Sequence, residues 1–113
     1  MIILLSKKEP WGRIIKQCRS IFNQELKIKF VKNNLNYNRY GIIVPIVVDK
    51  RAVVRNKIRR QIKNYLNQLN PKLSTGYDII IFINEKIKGI NYRQLKINLN
   101  YLFKKIKILS NFS

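Results

Sequence analysis

The chain has 113 residues, and its 24 lysines and arginines against five acidic residues give a formal net charge of +19. Because 46% of the residues are hydrophobic and 11% are aromatic, the chain can form a folded core, which excludes a disordered basic tail. Its apolar runs are far shorter than the roughly 20 residues that cross a bilayer, which excludes a transmembrane helix. We find no signal-peptide pattern after Met1 and therefore expect one cytoplasmic domain over residues 1–113.

The types of side chain present argue against a self-contained active site. The sequence has no histidine and a single cysteine, Cys18, so histidine-dependent nucleophile pairs and multi-cysteine zinc sites cannot form within one chain. The acidic residues are isolated in sequence, without the paired carboxylates that two-metal nucleases use; they are Glu9, Glu25, Asp49, Asp78 and Glu85. We therefore predict no catalytic residue and no metal ligand here, and we interpret Cys18 as a small core residue.

In chain order, the first half reads as a helix followed by strands. Apolar residues at helical spacing from Ser6 to about Phe22 predict a first helix, with Pro10 in its first turn. Alternation of apolar residues with lysines predicts a half-buried strand over Leu26–Phe30. The segment Arg39–Val48 is apolar through its middle, which predicts a central strand that Pro45 interrupts or divides into two.

The second half adds two helices and one strand. Asp49 is a candidate cap for a helix that runs to about Leu69 and ends at Asn70-Pro71. A strongly apolar strand follows over Tyr77–Ile83, and Asn91 is a candidate cap for an amphipathic last helix. These elements predict a single-domain α+β sandwich of order αβββαβα, with a basic helix packed on a central sheet.

The most informative segment lies within the central helix. On a helical wheel its apolar residues gather on one side, while Arg55, Arg59 and other cations share the adjoining arc. No acidic residue lies in this helix, so neighbouring cations repel one another by a few tenths of a kcal/mol per pair, and a polyanion would remove that repulsion. Arginine also binds phosphate bidentately. The pattern favours a polyanion-binding face; a merely solvated face is the alternative.

The segment Ala52-Val53-Val54-Arg55-Asn56-Lys57-Ile58-Arg59-Arg60 resembles the signature helix of the protein subunit of bacterial ribonuclease P, an Arg-Asn-Arg-type motif followed by an apolar residue and two more cations. Other similarities follow in the family's order. Leu5–Ile15 resembles its first helix, and Arg39-Tyr40-Gly41-Ile42 resembles the start of its central strand. Tyr77–Ile81 is similar to the strand before its last helix.

The resemblance implies a subunit of an endoribonuclease whose catalytic centre is in an RNA. That RNA holds the magnesium ions and removes the 5′ leader of precursor tRNA, so the implied partners are the catalytic RNA and precursor tRNA, with no membrane and no obligatory protein partner. The implied RNA-binding residues are Lys50, Arg51, Arg55, Asn56, Lys57, Arg59, Arg60 and Lys63. Trp11 and Phe30 are candidates for a cleft that holds the leader, because an aromatic face stacks on any base; core packing is the alternative for both.

Two departures from the family pattern stand out. Where the family commonly has Ser-Lys-Lys, an apolar residue and Gly before the signature helix, this chain has Pro45-Ile46-Val47-Val48-Asp49, and Lys50 and Arg51 replace the lost charge in part. Asn84 stands where an arginine often ends the later strand. Both departures predict weaker leader binding.

Two other functional classes are alternatives for a chain of this charge. A ribosomal or other structural RNA-binding protein would bind RNA without stimulating the cleavage of precursor tRNA. A peripheral protein on anionic membranes would need an amphipathic helix with an exposed apolar face, and here we expect the core to use those faces.

Overall fold

The computed structural model describes residues 1–6, 11–12, 16, 18–87 and 91–106. They form five strands and two long helices: β1 (Ile3–Leu4), β2 (Arg19–Phe22), β3 (Leu26–Lys32), β4 (Arg39–Ile43), α1 (Ala52–Leu69), β5 (Tyr77–Ile83) and α2 (Tyr92–Lys105). Short 3-10 helices follow α1 and β5, at Asn70–Lys72 and Glu85–Ile87. The predicted α+β class is therefore confirmed, whereas the predicted order αβββαβα lacks the short first strand β1. No helix in the described part of the chain is long and apolar enough to cross a membrane.

The strands form one mixed sheet with the order β1-β4-β5-β3-β2. The central strand β5 pairs in parallel with β4 and antiparallel with β3, as its continuously apolar sequence leads one to expect. Strand β1 is parallel to β4, and β2 forms an antiparallel hairpin with β3. Parallel neighbours need a crossover connection, and helix α1 lies within the connection between β4 and β5.

The sheet has two different faces. The helix face carries Leu26, Ile28 and Phe30 of β3, which belong to one buried core together with the apolar residues of α1 and α2. The opposite face, called here the Trp11 face, carries a smaller cluster in which Trp11 packs with Leu5 and Ile80. Because side chains alternate along a strand, Lys27 and Lys29 of β3 belong to the Trp11 face.

The first predicted helix ends earlier than its apolar spacing suggested. Trp11, Gly12 and Lys16 are helical, whereas Arg19–Phe22 forms strand β2; the remainder of that prediction, residues 7–10, 13–15 and 17, lies outside the described residues. The physical reason is the hairpin with β3. The Asn23 side chain accepts hydrogen bonds from the amides of Glu25 and Leu26 at 3.0 and 2.9 Å and closes the turn.

Two further predictions on the first half need correction. The strand predicted over Arg39–Val48 ends at Ile43, because residues 45–48 form a turn in which the amide of Val48 donates to the carbonyl of Pro45 at 3.0 Å. Cys18 is partly exposed and joins neither core cluster, so its interpretation as a core residue was wrong.

The predictions on the second half fit more closely. Strand β5 has the predicted limits, and helix α1 ends at Leu69, before the 3-10 turn of Asn70–Lys72. Asn91 caps α2 as predicted: its side chain accepts from the amide of Gln94 at 2.9 Å, and the Gln94 side chain accepts from the amide of Asn91 at 3.3 Å. This reciprocal pair satisfies two amides at the start of the helix.

Candidate nucleic-acid interface

Helix α1 begins without a side-chain cap. Its N-cap residue is Arg51, and the Asp49 carboxylate, predicted to cap the helix, instead accepts from the Arg51 amide at 2.9 Å and the Arg51 guanidinium at 3.1 and 3.0 Å. Asp49 precedes the N-cap by two residues, so it closes an Asx-type turn there. Its hydrogen bonds raise the pKa of Arg51. The predicted role of Asp49 as helix cap was therefore wrong.

Arg55 holds the junction between this turn and the helix. One guanidinium nitrogen donates to the carbonyl oxygens of Asp49 and Lys50, both at 2.9 Å. A backbone carbonyl outside regular structure needs a partner, and a charged donor makes a stronger hydrogen bond than a neutral one. Arg55 is accordingly half-buried. Some of the N–H donors of Arg55 are therefore used to stabilise the fold.

Arg59 makes a similar contact one turn later. Its guanidinium donates to the Asn56 side-chain oxygen at 2.7 Å and, more weakly, to the Val44 carbonyl at 3.5 Å just beyond β4. These bonds orient Asn56 and tie the basic half of the helix to the end of the sheet.

The other predicted RNA-binding cations are less constrained. Lys50, Lys57 and Arg60 are exposed, and within the described residues none has a carboxylate within ion-pair distance; Lys63 is half-buried. The predicted arc thus contains two kinds of cation: arginines that hold the helix in place, and cations that are directed to solvent.

The basic half of α1 is also its less buried half, although Ile58 packs against the main core. The buried residues of the helix are Ile62, Tyr65, Leu66 and Leu69, all in its C-terminal half. No residue over 52–61 is buried, and Val53 is 70% exposed. One end of the helix is therefore anchored, while the cationic end is presented together with the positive end of the helix dipole.

The Trp11 face is the second feature of the site. The indole nitrogen of Trp11 donates to the Ser6 carbonyl at 2.8 Å, and its ring lies over Gly41 so closely that a Cβ there would come within 2.7 Å of Cζ3. Lys29 lies nearby, with its ammonium 5.8 Å from the centre of the Phe82 ring. This face therefore combines a half-buried indole with cations and a second aromatic ring.

Phe30 does not belong to that face. It is 6% exposed within the main core, with its ring centre 6.3 Å from that of Tyr77. The two aromatic residues predicted to share a cleft thus lie on opposite faces, and the core-packing alternative applies to Phe30. Residues two apart along a strand share a face, so the spacing of Phe30 from Leu26 and Ile28 already predicts that it faces the core. The same alternation places Lys27 and Lys29 on the Trp11 face. These two lysines were not identified from the sequence as site residues.

Metal ligands are not gathered in this structure. In the described ranges, no group of three His, Cys, Asp or Glu side chains could hold a metal ion. Asp78 is engaged by Arg39 in two hydrogen bonds of 2.8 Å each, and Asp49 is engaged by Arg51. The carboxylates of the described residues therefore do not assemble a metal site.

Comparisons with known proteins agree with this arrangement. The family model described as Ribonuclease P matches residues 3–107. The chain is 31% identical over 106 residues to the ribonuclease P protein component of Alkaliphilus metalliredigens, covering 94% of this chain and 95% of that one. It is 33% identical over 109 residues to that of Fusobacterium nucleatum, covering 93% and 97%. A solved structure of the RNase P protein from Staphylococcus aureus shares the fold, with a TM-score of 0.87 at 24% identity over 96% of this chain and 99% of the other.

Proposed function

The chain belongs to the ribonuclease P protein family, and from this premise we propose that it binds the catalytic RNA of ribonuclease P together with the 5′ leader of precursor tRNA. It is the protein component of a ribonucleoprotein that processes tRNA. Its part in the reaction is to hold the two RNAs in register and to offset their phosphate charge.

The observation that carries the proposal is the half-anchored helix α1. Its exposed cations are held at a fixed position by the buried C-terminal half, and no carboxylate of the helix competes with a phosphate for them. A rigid row of cations suits a folded RNA, whose backbone is itself a fixed array of phosphates. We assign the contact with the catalytic RNA to Lys50, Arg51, Asn56, Lys57, Arg60 and Lys63, with Arg55 and Arg59 chiefly positioning this surface.

We assign the single-stranded leader to the Trp11 face. Trp11 offers an aromatic surface to a base, and Lys27 and Lys29 lie on the same face to neutralise phosphates. We do not assign this role to Phe30, because its ring is buried in the core.

We place the chemistry in the RNA partner. The side chains of this protein bind and orient the substrate, and the magnesium ions are held mainly by the catalytic RNA, where they would supply the charge stabilisation and the activated water. We further expect the protein to work in the cytoplasm, without a membrane and without an obligatory protein partner.

The decisive experiment measures removal of the 5′ leader by the cognate catalytic RNA at low magnesium, with and without the protein. We expect the protein to accelerate cleavage and to show no nuclease activity alone. Tight RNA binding with unchanged cleavage at every salt concentration would support the rival function, a structural RNA-binding protein.

A further inference from the structure

We propose that Phe22 and Phe82 form a second base-stacking subsite on the Trp11 face, which holds a leader nucleotide several positions away from the one at Trp11. The inference rests on the proposed function, since it takes the single-stranded leader as the ligand.

The register of the sheet brings the two rings to one level. Phe22 of β2 lies opposite Lys27 of β3, which in turn lies opposite Phe82 of β5. Residues directly opposite each other in antiparallel strands share a face, so all three side chains belong to the Trp11 face. They line a pocket of about 380 Å³ together with Lys29 and Asn84.

The pocket has the composition of a site for single-stranded nucleic acid. Phe22 is 70% exposed, which leaves its ring free to stack, and Phe82 is half-buried against the Leu5–Ile80 cluster. Among the described residues, no carboxylate lies within ion-pair distance of Lys27 or Lys29. The exposed Phe22 ring and the half-buried Phe82 ring, flanked by lysines that have no carboxylate partner, match bases and phosphates, whereas an apolar protein partner would leave the two ammonium groups without a counter-charge.

The pocket is held in a defined shape before any ligand arrives. The side-chain amide of Asn84 donates to the carbonyl of Gln24, and the amide of Asn84 donates to the carbonyl of Glu25 at 3.1 Å. These bonds fasten the β2–β3 hairpin to the end of β5. Strand β2, although it is an edge strand, therefore presents Phe22 at a fixed place, which lowers the entropy cost of binding.

The Phe22 side of the subsite is distant from Trp11, and Phe82, which packs on the same cluster as Trp11, lies between them. Gly41, which lies against the indole, is on β4, whereas Phe22 is on β2, three strands away in the sheet. Along the strand direction the two positions are offset by two residues. With strands about 4.8 Å apart and residues about 3.3 Å apart, Gly41 and Phe22 are about 16 Å from each other. A base that stacks on Trp11 cannot also stack on Phe22, so the Phe22 ring acts only on a leader that is long enough to reach it.

The test measures the affinity of the assembled holoenzyme for precursor tRNAs whose leaders range from one nucleotide to about ten. We expect Phe22→Ala to weaken binding of long-leader precursors about five-fold or more, and to leave short-leader precursors unchanged. Phe22→Trp should retain the affinity, and Phe22→Leu should not, because leucine offers an apolar surface without a flat π-face. The matched control is Tyr101→Ala on α2, which removes a ring that is 54% exposed and lies 4.5 Å from the ammonium of Lys105.

Several outcomes would overturn the inference: an equal loss at every leader length, a leucine variant as good as tryptophan, or an equal loss from Tyr101→Ala. A change in the solution mass of Phe22→Ala without any effect of leader length would identify β2 as a contact between copies instead. Failure of the proposed function is distinguishable from all of these, because it would appear as unchanged cleavage with the unaltered protein.

Discussion

At the scale of single residues, Gly41 has a role that composition alone does not reveal. It sits on the face of β4 against which the Trp11 indole lies, and the absence of a side chain lets the ring approach the backbone. The hydrogen bond from the indole nitrogen to the Ser6 carbonyl also holds the ring in place. One missing methyl group therefore determines where the aromatic surface of the candidate leader site stands.

We predict that Gly41→Ala displaces the indole while the sheet persists. The added Cβ would come within 2.7 Å of Cζ3 of Trp11, so the ring must move. Trp11 is the sole tryptophan, and its fluorescence emission should therefore shift, together with a several-fold loss of leader affinity. Gly12→Ala is the control, because a Cβ there meets nothing within 4 Å. An unchanged emission spectrum would contradict the prediction.

A second residue-scale prediction concerns Tyr65. Its hydroxyl donates to Asn100 at 3.2 Å and links α1 to α2, and burial raises its pKa to about 12. The tyrosine of the unfolded chain titrates near 10, so the folded state binds this proton more tightly. The free energy of unfolding should therefore fall as the pH rises from about 10 towards about 12.

The measurement compares urea unfolding of the unaltered chain and Tyr65→Phe at about pH 8 and about pH 11. The variant should lose about 1 kcal/mol at the lower pH, where the hydrogen bond is intact in the unaltered chain. Between about pH 8 and about pH 11, the free energy of unfolding of Tyr65→Phe should then fall by less than that of the unaltered chain. An equally steep decline in both proteins would assign the alkaline destabilisation to other groups.

At the scale of elements, the two halves of α1 have different roles: the C-terminal half stabilises the fold and the N-terminal half is the candidate binding surface. Its C-terminal half supplies core residues, and its N-terminal half supplies cations, of which Lys57 and Arg60 are exposed. Substitutions in the two halves should accordingly have different effects, since deletion of buried apolar groups costs stability and removal of exposed charge does not.

We predict that Arg60→Ala weakens binding to the catalytic RNA and makes the salt dependence shallower by about one unit per lost phosphate contact. The free energy of unfolding should change by less than about 0.5 kcal/mol. Arg93→Ala, which removes an exposed cation of α2, is the matched control and should keep the parental slope. If the two variants have the same slope, Arg60 lies off the interface.

The elements also show what sequence reasoning could and could not reach. Strand β5 was predicted with its limits because burial on both faces leaves an unmistakable apolar run. The helical spacing of Cys18 and Phe22 predicts a helix where strand β2 lies, and only pairing with β3 decides between the two structures. In the same way, the basic face of α1 was visible in the sequence, whereas the contacts of Arg55 with the preceding turn depend on a backbone path that periodicity does not describe.

At the scale of the whole molecule, charge opposes folding. The net charge of +19 is held within a described fold whose principal extents are 36 × 34 × 25 Å, so like charges cannot avoid one another. Self-repulsion destabilises the compact state, and screening or bound anions relieve it. The protein without RNA should therefore be less stable than its core would allow.

We predict that the melting temperature of the isolated protein rises with ionic strength, and rises further in sulfate than in chloride of equal ionic strength. Multivalent anions can bind neighbouring cations, whereas chloride mainly screens them, although sulfate also strengthens apolar burial. Removing the exposed cations Lys57 and Arg60 together should reduce the difference between the two salts. A melting temperature that is independent of salt would contradict this account.

The central position of β5 has a consequence for biosynthesis. Without Tyr77–Ile83 the sheet consists of two separate pairs, β1 with β4 and β2 with β3, because β5 alone joins them. The ribosome makes this strand after the basic helix α1, at about 5–20 residues per second, so α1 leaves the exit tunnel seconds before it has a complete sheet to pack on. During that interval a strongly cationic, unfolded segment is adjacent to ribosomal RNA. We therefore expect productive folding to wait for β5, and assembly with the catalytic RNA to follow release of the finished chain.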